Sequence, residues 1–113
     1  MSDKSERIAQ LNDAFRKATG TPQQTGLVFK TSNIASLPIV DQIKILELVR
    51  TFNSFSEAND PYGEHDFGRI EYNGDKIYWK IDYFDRDGEQ GSPDPSDPEQ
   101  TTRAMTIMFA YEW

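Results

Sequence analysis

The sequence contains no cysteine and a single histidine, His65. The missing cysteines exclude disulfides, thiolate metal centres and cysteine nucleophiles, and they leave His65 as the one imidazole available for chemistry near neutral pH. Long apolar runs are absent too. Nothing approaches the roughly 20 residues that a membrane-spanning helix needs, so no membrane partner is expected. The opening Met1-Ser2-Asp3-Lys4-Ser5-Glu6 lacks the basic and then apolar order of a signal peptide, and a cytoplasmic location is the simplest expectation. There is no glycine-rich phosphate loop and no G-x-S-x-G elbow. Clustered positive charge is also lacking. The net charge is −7; residues 57–113 hold five Lys/Arg against fourteen Asp/Glu, a balance of −9, whereas residues 1–56 hold seven against five, a balance of +2. Direct nucleic-acid binding is therefore not expected, because it draws on clustered Lys and Arg. An acidic half suits a basic protein surface or a divalent cation, and its plainest role is solubility.

What is present suffices for one domain spanning residues 1–113. Ile8, Leu11, Phe15 and Ala18 repeat with helical period, which predicts a first helix over Ser5–Ala18, with Ser2 or Ser5 as its cap and Gly20 past its end. Leu27-Val28-Phe29 predicts a short strand over Gly26–Thr31. Ser32–Leu37 reads as a connection. A second helix over Pro38–Phe52, capped by Ser36, has so broad an apolar face (Ile39, Ile43, Leu46, Val49 and Phe52, widened by Val40, Ile45 and Leu48) that it should be mostly buried. Lys44, Glu47 and Arg50 read as its solvated edge. The run Met105–Tyr111 closes the chain and favours a strand. Residues 85–100 hold three prolines, two glycines and six acids against one arginine, which predicts a flexible loop or one ordered by a partner.

Asn73-Gly74 is a strong two-residue hairpin signal, since both positions need positive φ. The turn sets the register. Tyr72 faces Asp75, Glu71 faces Lys76, Ile70 faces Ile77, Arg69 faces Tyr78, Gly68 faces Trp79 and Phe67 faces Lys80; Asp66 should then face Ile81, and His65 should face Asp82. Alternation puts Ile70, Ile77, Trp79, Ile81 and Tyr83 on a core face, with Trp79 lying over Gly68. The opposite face then carries His65 with Asp82, beside Lys80. His65, Asp82 and Lys80 are the candidate catalytic residues, with His65 and Asp82 as a general acid–base pair, and His65, Asp82 and Glu64 are the candidate metal ligands for a divalent cation. The alternative is a hydrogen-bonded pair that ties the open end of the hairpin. Tyr62, Glu64, His65, Arg69, Tyr78, Lys80, Asp82, Asp85 and Asp87 form the candidate binding set. Asp85-Arg86-Asp87-Gly88-Glu89 opens like a calcium loop, but the sixth position is Gln90 and the twelfth Ser96 where glycine and glutamate are required.

The block from Asn59 to Gly68 (NDPYGEHDFG), the block from Trp79 to Asp85 (WKIDYFD) and Thr101-Thr102-Arg103 before the closing Met-Thr-Ile-Met run together resemble a bacterial family known as domain of unknown function 3768. The segment Arg7–Asp13 fits the same resemblance, which covers nearly the whole chain. It implies a bacterial protein, often encoded on plasmids or other mobile elements. It implies no known activity, so no catalytic residue carries over.

The expected fold is α+β: two helices packed on one face of a mostly antiparallel sheet of about four strands, in the order α-β-α-β-β-β, with the other face open. The expected function is non-enzymatic. An acidic protein-binding module would engage a basic surface, such as a nucleic-acid-binding protein of a host defence system, and would need no cofactor. The competing expectation is a small enzyme or divalent-metal protein built on His65, Asp82 and Lys80. Trp113 and an exposed edge strand leave room for a dimer.

Overall fold

A computed structural model describes residues 3–113. The first helix, α1, spans Asp3–Ala18, so Ser5 lies inside it rather than at its start, and the cap assigned to Ser2 lies outside the described residues. Strand β1 is Leu27–Lys30. The segment expected as a connection carries a one-turn helix, α2 (Ser32–Ala35), started by the Thr31 hydroxyl, which accepts from the Ile34 amide. Helix α3 spans Ile39–Thr51; Pro38 precedes it and no side chain caps it, Ser36 instead ending α2. The hairpin strands are β2 (Phe67–Tyr72) and β3 (Asp75–Phe84), and β4 is Thr102–Phe109. Three-residue 3-10 turns at Pro98–Gln100 and Ala110–Glu112 flank β4.

The four strands form one sheet in the order β1-β4-β3-β2. β2–β3 and β3–β4 are antiparallel, but β1 runs parallel to β4, so the sheet is mixed rather than mostly antiparallel. No turn signal links β1 to β4, and direction there is set by the intervening chain rather than by a hairpin. β4 is the interior strand between β1 and β3, which explains its apolar run: Ala104, Met105, Ile107, Met108 and Phe109 are all buried. The hairpin register agrees with expectation at all six pairs from Tyr72–Asp75 to Phe67–Lys80, with Asn73 and Gly74 both at positive φ.

The helices cover one face, joined there by Phe52 and Phe55 of the loop that follows α3. There Trp79 is fully buried, with Phe52 and Phe55 edge-on to it. Gly68 leaves room for the indole, since a Cβ there would lie 2.3 Å from Trp79 Nε1. α3 is less buried than its composition suggested. Ile45 and Val49 reach the core, while Ile39, Val40, Ile43 and Leu48 remain exposed. A helix on a narrow sheet buries one stripe, and this one carries apolar residues on its flanks as well. Ile39 and Ile43 rim a cavity of about 360 Å³ that reaches Ile34, Ile45 and Ile107.

The 85–100 segment, expected as a flexible loop, carries hydrogen bonds of its own. Gly91 bridges Phe84, Asp85 N–H donates to Gln90 O, and the Asp97 carboxylate caps the turn at Pro98 by accepting from Glu99 N–H. Asp, Ser and Thr side chains replace backbone ladders here, as such short polar groups do in turns. Arg103 ties the loop to the sheet by donating to Pro95 O.

Candidate functional site

α1 is amphipathic with a difference: next to Ile8 and Phe15 it buries Asn12 and Arg16, and Thr19 just past its end is buried as well. Arg16 is enclosed, at 1% exposure. Its Nη1 donates to the carbonyls of Val49, Arg50 and Phe52 at 2.8–3.1 Å, satisfying the end of α3, where the helix leaves carbonyls unpaired. Its Nη2 donates to Asp13 Oδ1 at 3.0 Å, and the guanidinium carbon lies 5.1 Å above the Trp79 ring. Burial pulls the Arg16 guanidinium down from its ordinary value, opposed by Asp13. Asn12 is fully engaged. Its Nδ2 donates to Glu64 O and Tyr83 Oη, and its Oδ1 accepts from Arg103 Nε at 2.7 Å. Tyr83 in turn donates to the Glu64 carboxylate, and burial pushes its hydroxyl far above the ordinary value of 10.

His65 belongs to this helix-side network, away from Asp82. The hairpin ladder ends at Ile81 N–H donating to Asp66 O. Before it the chain turns sharply. Gly63 N–H bonds Asp60 O across the Pro61-Tyr62 corner, and the Asp60 carboxylate accepts from the amides of Glu64 and His65. Gly63 (φ 69°) and His65 (φ 56°) both take the left-handed conformation. That twist swings the imidazole off the strand's alternation and onto α1. Its Nδ1 lies 3.0 Å from both Asp13 oxygens, its ring stacks on Phe55 at 3.9 Å and 2°, and its Nε2 lies 3.8 Å from Asp60 Oδ2. A carboxylate only accepts, so the neutral ring carries its proton on Nδ1. Phe55, Ser56, Asp60 and His65 border a pocket of about 510 Å³.

The expected His65–Asp82–Lys80 cluster therefore does not assemble. Asp82 pairs with Lys80 at 2.8 Å on the helix-free face. Glu64 is taken by Tyr83, so His65, Asp82 and Glu64 form no ligand set, and no three His, Cys, Asp or Glu side chains gather as metal ligands among the described residues. The wider binding set divides. Arg69, Tyr78, Lys80 and Asp82 share the helix-free face; Glu64 and His65 lie on the helix side; Tyr62 stands exposed on its loop; Asp85 and Asp87 sit in the turn closed by Gly88. Asp13 and Arg16, which position His65, were missed because a charged residue on an amphipathic helix ordinarily faces water.

The helix-free face has its own character. Register places Leu27 and Phe29 of β1 beside Ala104 and Thr106, then Met108 beside Tyr78, and Lys80 beside Phe67. Leu27 and Phe29 are 50% and 52% exposed, and Trp113 (70% exposed) lies edge-on to Phe67 and Tyr78.

A family model described as Protein of unknown function (DUF3768) matches residues 30–112, a span that leaves α1 and most of β1 outside it. No curated protein and no solved structure matches the chain.

Proposed function

The chain belongs to this family of unknown function, and from that premise we propose that it is a protein-binding module that docks a basic partner on the helix-free face of its sheet. The observation that carries the reading is the exposure of Leu27, Phe29 and Trp113 on a sheet face that no helix covers. Leu27 and Phe29 stand together at the β1 edge and Trp113 lies over Phe67 and Tyr78, with Ala104 and Met108 buried between them, and exposed apolar groups of this kind mark interaction surfaces. Charge supplies the partner's sign. The acidic 85–100 segment joins β3 to β4 at the end of the sheet that carries Asp82, Ala104 and Leu27, which makes that end of the molecule negative. A partner with an apolar centre and a Lys/Arg rim fits both features, and nucleic-acid-binding proteins, including those of host defence systems, carry such rims.

The test is capture of a basic nucleic-acid-binding protein by the full chain and by Phe29→Asp, at low and high salt. Wild type should compete with nucleic acid for that protein, lose it steeply as salt rises, and lose it altogether in Phe29→Asp with thermal unfolding unchanged. Capture that ignores salt, or that Phe29→Asp retains in full, refutes the reading.

A further inference from the structure

Three independent observations converge on His65, and none of them concerns the docking face. The first is a supporting chain. A buried arginine held by three carbonyls fixes Asp13, and Asp13 fixes Nδ1. Such a chain sets the orientation of an imidazole and the proton on Nδ1, and it turns Nε2 toward the pocket, 3.8 Å from Asp60 Oδ2. The second is conformation. A non-glycine residue at φ 56° is held in a sparsely populated region, and such residues gather at functional sites. The third is access. The ring is clamped flat against Phe55 yet is 29% exposed, and Nε2 lies toward Asp60 on the wall of the 510 Å³ pocket.

We infer that His65, oriented by Asp13, is a general acid–base centre that hydrolyses an uncharged or cationic carboxylic ester held in the pocket between Phe55 and Gly63. Asp60 and Glu57 on the pocket wall repel an anion, which sets the charge of the substrate. In the step, a water oxygen adds to the acyl carbon while one of its protons passes to Nε2. The tetrahedral intermediate then breaks its acyl carbon–alkoxy oxygen bond, and the leaving alkoxide takes the proton back from Nε2. Ester and water become acid and alcohol, and the imidazole is regenerated. Asp13 is a positioning residue that stabilises the transient imidazolium, and Arg16 positions Asp13. Charged groups facing the ring are Asp13 and Arg16 from α1, Asp60 and Glu57 from the pocket loop, and Glu64 and Asp66 on either side of it in sequence. An ester with a good leaving group suits these residues; an amide would need a stronger leaving-group acid.

The test uses the full chain with p-nitrophenyl acetate as a neutral probe and p-nitrophenyl hemisuccinate as its anionic counterpart. Wild type should saturate with the acetate and exceed His65→Gln by about 100-fold or more, the range for a positioned general base. Lys44→Met, at an exposed position on α3 away from the pocket, should match wild type. Asp13→Asn should lower kcat more than KM and move the pH–rate profile, and the hemisuccinate should react slowly. A wild-type rate no greater than that of equimolar free imidazole, or one that His65→Gln retains, overturns the inference. A second readout does not depend on turnover. Nitrogen shifts of the His65 ring should show the Nδ1–H tautomer in the folded chain, and an Nε2–H ring would overturn the assignment even if Asp13→Asn fails to fold. Failure here is distinguishable from failure of the docking proposal, because His65→Gln should leave partner capture unchanged.

Discussion

Truncating Arg16 to alanine strands four hydrogen-bonding partners at once: the carbonyls of Val49, Arg50 and Phe52, and the carboxylate of Asp13. Removing one member of a buried charged set leaves the others desolvated and unpaired, which costs about 3–5 kcal/mol. We expect Arg16→Ala to lose about that much in urea denaturation. Arg16→Lys should recover little, because an ammonium lacks the planar fork that reaches the carbonyls and Asp13 together. Gly68 offers a contrast in which space alone decides. Its missing Cβ is the room that Trp79 occupies, with Nε1, Cε2 and Cζ2 all within 2.7 Å of where a methyl would sit. Gly68→Ala should therefore destabilise by about 1–3 kcal/mol or more through overpacking. Gly91 is the control. A Cβ there meets only the Tyr83 carbonyl oxygen at 4.0 Å, and Gly91→Ala should stay within about 0.5 kcal/mol of wild type in the same measurement.

Between elements, the C-terminal turn is joined to the start of α2 through Glu112. Its Oε1 accepts from the Thr31 hydroxyl and from Phe109 N–H, both at 2.9 Å, and the same turn sets Trp113 against Phe67 and Tyr78. Glu112→Ala removes three charge-assisted bonds, the third from Asn33 Nδ2 to Oε2 at 3.4 Å, each worth about 1.5–3 kcal/mol at most and less at a part-exposed site. A lower urea midpoint together with red-shifted Trp113 emission is the expected outcome; unchanged emission would mean that Trp113 seats itself without Glu112. Legibility in the sequence follows the range of the forces involved. Asn73-Gly74 fixes two φ values locally and propagates through a strict two-residue alternation, so the register was readable across six pairs. The same counting failed at His65 because two left-handed residues, one of them not glycine, interrupt the strand, and the Asp60 carboxylate that holds them acts through backbone amides. The pairing of β1 with β4 is remote in sequence and carries no local signal. The buried roles of Arg16 and Asn12 carry no local signal, because their partners, the end of α3 and the side chains of Tyr83 and Arg103, come from distant parts of the chain.

The whole molecule carries its negative charge unevenly, and Asp66 shows the consequence. Burial raises its carboxyl above the ordinary value of 3.8, and the nearby charges of Glu64, Asp60 and Asp82 raise it further. A carboxyl raised in the folded chain binds its proton more tightly there than when unfolded. Its favourable contribution is present in full below the ordinary carboxylate range and is lost as pH rises through the folded value. At neutral pH the fold therefore holds Asp66 ionised against burial and three like charges. Asp94 has the opposite sign. The Ser96 hydroxyl and amide, with Lys4, hold its carboxyl below the ordinary value, so its contribution is present at neutral pH and is lost as pH falls through the folded value. Asp66→Asn keeps the shape of the side chain and removes the charge. The variant should have a higher urea midpoint than wild type near neutral pH, and the two should converge as pH falls below the ordinary carboxylate value of 3.8, where the carboxyl is protonated both folded and unfolded. Were Asp66→Asn less stable than wild type at neutral pH, the carboxylate would have to accept a hydrogen bond that outweighs its repulsion. An advantage that persisted unchanged into acid would place its origin in packing rather than in charge.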